Sequence, residues 1–431
     1  MPHLISVTEN GFIESDRDFS EPAHGTVIVP DSTFQALRQL AFDTDGADSL
    51  LMVVVQKKRE VIRIRNYVGL LTLSDGTQLE ILPKITAGHK PRLVLLLMLR
   101  HLRNSPFGRV NMAYTSAAQL PLWDVFVRAF LDALEVLVRQ GMQRAYVSVE
   151  ANERFWKGTF QASRQQRENA HHAERLAVRY DTLTADIPPN RILKTTLLHL
   201  QQQSVGSANR LRIGQLLWAL DDVPASLSVA DDRVAIERIS RLFMRYEPAL
   251  RWASALLAGR AFGVQKGHTT SLSLLFPMER VFEDYVAHGI LTYWPDTDRV
   301  TVQESSAHLI DEHVGTAKFK LRPDIIIRQL GRTLVMDTKW KQINNQDLGT
   351  MPASGNYGIE QADLYQLYAY GKKYAADDLF LIYPASDTFQ EPLPLFVYDA
   401  TTRLHVVPFD PANALPDEVE KLAAYALSFS E

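Results

Sequence analysis

The sequence predicts a mixed α/β protein of several domains: a β-rich N-terminal domain over 1–91, a mainly helical middle region over 92–265 and an α/β C-terminal domain over 266–431. Three observations carry that prediction. A chain of 431 residues is longer than a single hydrophobic core usually organises. Apolar residues alternate near the start, recur at helical spacing through the middle and change between the two periods near the end. A polar, glycine-containing stretch without helical periodicity, GVQKGHTTS from Gly263 to Ser271, separates the last two parts.

Each part follows from its residues. Between Leu50 and Ile85 the alternating runs stop at turn residues, and Asp75-Gly76 between LLTL and QLEIL is a hairpin signal. In LWDVFVRAFLDALEVLVRQGM, Phe126, Phe130, Leu134 and Leu137 share one helical face, and Gly141 offers a stop. Pro188-Pro189 disfavour helix before them and Asn190 is a suitable cap, so NRILK, Asn190 to Lys194, reads as a helix start. Beyond Ser271 come a helix (FPMERVFEDYVAHGIL), several strands, a second helix (EQADLYQLYAYGKKY) and another strand (DLFLIYP), an order that suits an α/β domain.

Composition excludes some chemistry. The absence of cysteine removes disulfides, thiolate metal sites and cysteine nucleophiles, and agrees with a reducing compartment such as the cytoplasm. No basic segment followed by an apolar stretch opens the chain, so no signal peptide is expected. The longest apolar run, Leu93 to Leu99, falls far short of the roughly 20 residues that span a bilayer, so a soluble protein without a membrane partner is expected. The formal charge of −4 does not mark a nucleic-acid binder, but between Leu51 and Val110 eleven basic residues face three acidic ones, or +8. That excess suits a solvated strand face, or contact with nucleic acid or an acidic partner. His171-His172 lacks the cysteine or acidic pattern zinc requires and reads as a surface pair.

The segment LRPDIIIRQLGRTLVMDTKWKQ, Leu321 to Gln342, places charges inside two apolar runs. Alternation puts Asp324, Ile326 and Arg328 on one face of the first, and Val335, Asp337 and Lys339 on one face of the second. QLGR is short and contains glycine, so the runs pair as a hairpin and bring two carboxylates and an ammonium together. Burying two adjacent carboxylates costs several kcal/mol, and a divalent cation offsets both desolvation and repulsion. Mg²⁺ accepts one or two carboxylates with waters and phosphate oxygens, and Lys339 could orient or help deprotonate the attacking water. The reaction class is metal-assisted phosphodiester hydrolysis. The competing reading gives Asp324 a salt bridge to Arg322 or Arg328 and leaves Asp337 and Lys339 as a solvated strand end. Two helices add to the first reading. Glu283 lies at the edge of an apolar helical face beside Phe282, whereas Glu279 reads as a surface residue. Asp363, Gln366 and Tyr370 share a stripe, from which Gln366 could bind a water or a phosphate oxygen.

FPMERVFEDYV, RPDIIIR, LVMDTKWK and DLYQLYAY, in that order, resemble the C-terminal nuclease domain of McrC-type subunits of McrBC 5-methylcytosine (modification-dependent) restriction systems, within the PD-(D/E)xK, restriction-endonuclease-like superfamily. Upstream, RNYVGLLTL with LEILPKI, GMQRAYVSVEANERFWKGTF and YDTLTADIPPNRILKTTL resemble further parts of that family, so the likeness runs from about Arg65 to Pro384. The resemblance implies metal-ligand roles for Asp324, Asp337 and Glu283, a water-positioning role for Lys339 and a supporting role for Gln366, with Mg²⁺ or Mn²⁺ as cofactor. Position 337 carries Asp where Glu is commoner, which the family pattern allows.

The same resemblance implies double-stranded DNA as substrate and a separate McrB-like AAA+ ring, a GTPase or ATPase, as partner. In that family the partner reads the modified cytosine and the McrC-type N-terminal region docks on the ring. No GxxxxGK[ST] phosphate loop occurs in the chain, so nucleotide hydrolysis is expected from another polypeptide. Arg59, Arg63 and Arg65 are candidates to reach the partner's NTPase centre on charge alone. Two other readings remain: a DNA repair or recombination nuclease of the same fold, and a non-catalytic adaptor that activates an NTPase ring.

Overall fold

A computed structural model describes residues 4–18, 26–43, 50–56, 58–73, 76–85, 89–103, 107, 120–203, 205–237, 240–258, 273–295, 299–329, 331–343, 356–376, 378–399 and 401–429. The architecture is mixed α/β, and the contacts divide it into two compact units, one over 123–258 and one joining 2–122 to 259–431. The N-terminal and C-terminal parts distinguished in the sequence therefore lie in one unit.

In that unit, one sheet runs in the order Thr26–Val29, Phe12–Ser15, Arg59–Ile64, Leu51–Gln56. A second runs Leu4–Thr8, Gln78–Leu82, Tyr67–Thr72, Ser273–Pro277. Their alternating residues meet in one core that includes Val7, Ile13, Phe34, Leu37, Ile62 and Ile81. The hairpin signal corresponds to antiparallel pairing of Tyr67–Thr72 with Gln78–Leu82, with Gly76 at φ 86°. Asp75 itself lies outside the described residues. Ser273–Pro277, from the start of the C-terminal part, is the strand that joins this N-terminal sheet, antiparallel to Tyr67–Thr72. Gly69 makes the approach possible: at φ +124°, a Cβ there would stand 2.0 Å from the Leu274 carbonyl oxygen.

His308–His313 pairs separately with Thr316–Lys320, and a six-stranded sheet of this unit runs Arg299–Val302, Ile325–Gln329, Arg332–Thr338, Asp378–Pro384, Arg403–Phe409, Phe396–Val397. Its first three strands are antiparallel; the step to Asp378–Pro384 and the next are parallel. Ile325–Gln329 and Arg332–Thr338 pair antiparallel as the predicted hairpin requires, with Gly331 at φ 77°; Leu330 of QLGR lies outside the described residues. Ile325–Ile327 and Leu334–Met336 are buried whichever way they point, because helices cover the sheet, as the near-continuous apolar runs suggest. The helix Met278–Tyr293 starts directly after Pro277, and the helix Gln361–Tyr374 packs on Arg332–Thr338 and Asp378–Pro384.

The unit over 123–258 is not purely helical. Phe126, Phe130, Leu134 and Leu137 are buried on the helix Leu122–Arg139, as their spacing predicts, and Gly141 follows its end at φ 87°. Ala145–Glu153 and Leu176–Thr184 then pair as an antiparallel ribbon, with Thr159–Phe160 as a third strand. Both faces of the ribbon carry exposed residues, so alternation there does not record burial and the strands escape a reading based on apolar periodicity. The helix containing NRILK spans Pro188–Gln202, so it begins two residues before Asn190, with Ile187 at the extended cap position and the prolines in its first turn. Asn190 is buried and donates to the Ala185 carbonyl at 2.8 Å and the Gln143 carbonyl at 3.0 Å. Arg191 pairs with Asp232 at 2.5 Å, and the Lys194 Nζ donates to the Leu220 carbonyl at 2.8 Å. The motif is thus structural. His172 and the neighbouring His171 are exposed, and His172 pairs with Glu174 at 3.0 Å. No described helix is long and apolar enough to cross a membrane.

Candidate active site

The hairpin register explains how two acids meet. Ile325 pairs with Met336, so one further step along the ladder sets Asp324 beside Asp337. Asp337 is only 2% exposed, and on its other side it pairs in register with Leu381 of a parallel, fully buried strand. The Asp324 Oδ2 accepts the Thr338 N–H at 2.7 Å and the Thr338 hydroxyl at 2.8 Å. These bonds orient the carboxylate and favour its ionised form, though less than burial opposes it. Burial pushes the Asp324 carboxyl well above the usual aspartate range, and Asp337 and Glu283 push it further.

Lys339 supplies the cation. Its Nζ lies 2.6 Å from the Asp337 Oδ2 and 3.8 Å from the Asp363 Oδ1. Burial raises the Asp337 carboxyl too, even though Lys339 opposes the shift. Burial also works against the Lys339 ammonium, but Asp337, Asp363 and Asp324 outweigh it and push Lys339 up to about 12. With these carboxylates around it, Lys339 holds its proton and donates hydrogen bonds. A carboxyl whose folded pKa is raised binds its proton more tightly in the folded state, so ionising it costs stability. For Asp324 and Asp337 that cost grows as the pH rises from the usual aspartate range toward neutrality.

Glu283, on the helix Met278–Tyr293, accepts a hydrogen bond from the Gln303 side-chain amide, with the Arg103 guanidinium 3.8 Å away. Burial raises its carboxyl against the pull of Gln303, with Asp284 and Asp337 adding to the shift. Arg103 chiefly holds Asp284, which accepts its Nε at 2.5 Å and its backbone N–H at 3.0 Å. Gln366 is exposed; its Oε1 lies 3.4 Å from the Lys339 Nζ and its Nε2 donates to the Tyr370 hydroxyl at 2.7 Å. The salt-bridge reading of Asp324 does not hold among the described residues: Arg328 pairs with Glu304 at 3.0 Å, and Arg322 donates to Gln303. Glu279 accepts from Asn66 at 3.0 Å and stays away from the acids.

The donor set suits a hard cation. Asp324 and Asp337 are hard oxygen donors whose ionised forms burial disfavours, with Asp337 adding to the shift of Asp324, a combination that Mg²⁺ or Mn²⁺ relieves with one or two carboxylates and several waters. Among the described residues no three His, Cys, Asp or Glu side chains stand close enough to hold a metal together. Asp324 and Asp337 therefore form the core of the donor set, with Glu283 beside them.

Residues 62–384 match the family described as McrBC 5-methylcytosine restriction system component. The chain belongs to this family. Among solved structures, it is similar to a chain of the Thermococcus gammatolerans assembly of McrB AAA+ hexamers with bound McrC, with a TM-score of 0.69 and 17% identity over 98% of this chain and 100% of that one. It also aligns with a chain of the Thermococcus gammatolerans McrBC complex, with a TM-score of 0.49 and 23% identity over 67% of this chain and 88% of that one. At these identities the likeness concerns the fold. No curated protein matches the chain.

In this McrBC-family chain Asp324, Asp337, Lys339, Glu283 and Gln366 occupy one neighbourhood, linked by ion pairs, hydrogen bonds and mutual repulsion. Sequence reasoning gave no role to several of their neighbours. Thr338 stands inside the Asp337-Thr338-Lys339 motif and holds Asp324. Asp363, buried on the same stripe as Gln366, binds Lys341 at 2.9 Å. Trp340 donates to Glu9 at 2.5 Å, tying the residue after Lys339 to the end of the strand Leu4–Thr8. Burial pushes Glu9 up to about 7 against the pull of Trp340. Only Thr338 and Asp363 carry a signal in the sequence; Glu9 lies 331 residues from its partner.

Proposed function

We propose that this chain is the nuclease subunit of a McrBC-type restriction system. In this reading it is a Mg²⁺- or Mn²⁺-dependent endonuclease of the PD-(D/E)xK type, cutting modified or foreign double-stranded DNA when driven by a separate McrB-like AAA+ GTPase or ATPase. The observation that carries the reading is the buried Asp324–Asp337 pair beside a protonated Lys339, in a chain of this family. The sheet that mixes antiparallel and parallel strands, flanked by the helices bearing Glu283 and Gln366, supports the PD-(D/E)xK assignment.

A bound divalent cation would polarise the scissile phosphate and acidify a water. The chain's residues do the rest. Asp324 and Asp337 would hold the cation, and Thr338 keeps the Asp324 carboxylate turned by two hydrogen bonds. Lys339, held protonated, donates to the attacking water or to a phosphate oxygen as negative charge develops there. Gln366 restrains the Lys339 ammonium from one side and Asp363 from another. The Thermococcus gammatolerans assembly, in which McrC is bound to McrB AAA+ hexamers, supports a separate motor for this chain.

The test is cleavage of modified DNA by the chain reconstituted with its AAA+ partner and nucleotide. Chelation is expected to abolish cleavage, and added Mg²⁺ or Mn²⁺ to restore it. Undiminished cutting in excess chelator would remove the metal from the mechanism.

A further inference from the structure

Gln303 follows the strand Arg299–Val302 and adopts φ 51°, the left-handed region that non-glycine residues seldom enter. Its backbone N–H donates to the Asp324 carbonyl at 2.8 Å, so the turn is bound to one of the two acids. From that half-buried position its amide works in two directions: the nitrogen donates to the Glu283 Oε1, and the oxygen accepts from the Arg322 guanidinium. Arg322 is exposed, stands two residues before Asp324, and has no carboxylate ion-pair partner among the described residues. Its carbonyl accepts the Tyr370 hydroxyl at 3.3 Å, which joins it to Gln366 and thence to Lys339. Strained backbone that persists beside a cluster of charged groups, with every polar atom of the side chain employed there, points to a role in the site.

We propose that Gln303 is a positioning residue: its single amide holds Glu283 toward the Asp324–Asp337 pair and turns the Arg322 guanidinium to receive a DNA phosphate. An exposed guanidinium without a carboxylate partner among the described residues, two residues from Asp324, gives the polyanionic substrate a cationic contact. The amide suits the task because it is neutral. It can donate to a carboxylate and accept from a guanidinium at once without changing the charge that a metal would meet.

The inference rests on the nuclease reading, and the test separates the two. Gln303→Gly removes the amide and accommodates φ 51° without strain, so a lost function does not arise from a strained backbone. Mn²⁺ binding to the isolated chain is measured by calorimetry, and cleavage by the reconstituted complex is followed against DNA concentration. Gln303→Gly is expected to weaken Mn²⁺ binding about 10-fold, typical of losing an outer-shell partner, and to raise the half-saturating DNA concentration. Arg322→Ala is expected to raise the half-saturating DNA concentration while leaving Mn²⁺ affinity near that of the natural chain. The double variant is expected to bind DNA no worse than Arg322→Ala, because both act through one guanidinium. A Gln303→Gly chain with unchanged Mn²⁺ affinity and unchanged DNA dependence would overturn the proposal while the nuclease reading stood. Absence of Mn²⁺-dependent cleavage by the natural chain would overturn both.

Discussion

Asp337→Ala is expected to lower the single-turnover cleavage rate of the reconstituted complex by about 10³-fold, or about 4 kcal/mol of transition-state stabilisation. Three facts about the position lead there. Asp337 is buried at the end of a central strand, its carboxyl is raised by burial, and it carries the ion pair that holds Lys339. The substitution removes a metal ligand and frees the ammonium that would orient the water. The fold should persist, since the deleted group is one whose ionised form burdens the folded state and Asp363 stays 3.8 Å from the ammonium left behind. The melting temperature of the variant, measured beside its rate, separates lost chemistry from lost structure. A rate within tenfold of the natural chain would mean that the cleaving site lies elsewhere.

The second large effect is structural. Arg92→Ala should destabilise the chain by about 3–5 kcal/mol, the usual consequence of stranding a buried charge. Glu80 is completely buried in the strand Gln78–Leu82, where it accepts from the Arg92 Nε at 3.0 Å, from a second Arg92 nitrogen, and from the Leu122 N–H at 2.9 Å. Without Arg92 the carboxylate keeps one backbone donor and loses its counter-charge. Denaturant unfolding measures the loss, and adding Glu80→Gln to Arg92→Ala should recover much of it. A loss below about 1 kcal/mol for Arg92→Ala would show that the pair does not stabilise this sheet.

Arg92 also shows where charge counting stops being informative. It belongs to the basic excess between Leu51 and Val110, as does Arg103, and both are engaged inside their unit, on Glu80 and Asp284. A net charge over sixty residues does not record which cations point inward. Periodicity is a better guide where one face is buried and the other solvated. Phe126, Phe130, Leu134 and Leu137 declare their helix for that reason, and Gly331 with its flanking apolar runs declares the hairpin. The ribbon Ala145–Glu153 with Leu176–Thr184 has no covered face of that kind, and the helix at Pro188 starts earlier than its best capping residue because proline suits a first turn.

The site divides along the same line. Asp324, Asp337 and Lys339 are close in sequence, so strand alternation and one short turn suffice to bring them together. Glu283 and Gln366 stand on helices whose burial pattern marks the relevant face. Gln303 joins them through a left-handed turn and two hydrogen bonds from one amide, and Arg103 arrives at Asp284 from 181 residues away. Contacts of that kind are set by tertiary packing and leave no periodic trace.

The central claim is that Asp324 and Asp337 share a divalent cation, and locating Mn²⁺ in crystals of the chain by anomalous diffraction tests it most directly. The predicted result is a peak about 2.1 Å from an oxygen of each carboxylate, with the Lys339 ammonium displaced from the Asp337 Oδ2. A Mn²⁺-saturated crystal with no peak there, and Lys339 still paired to Asp337, would contradict it.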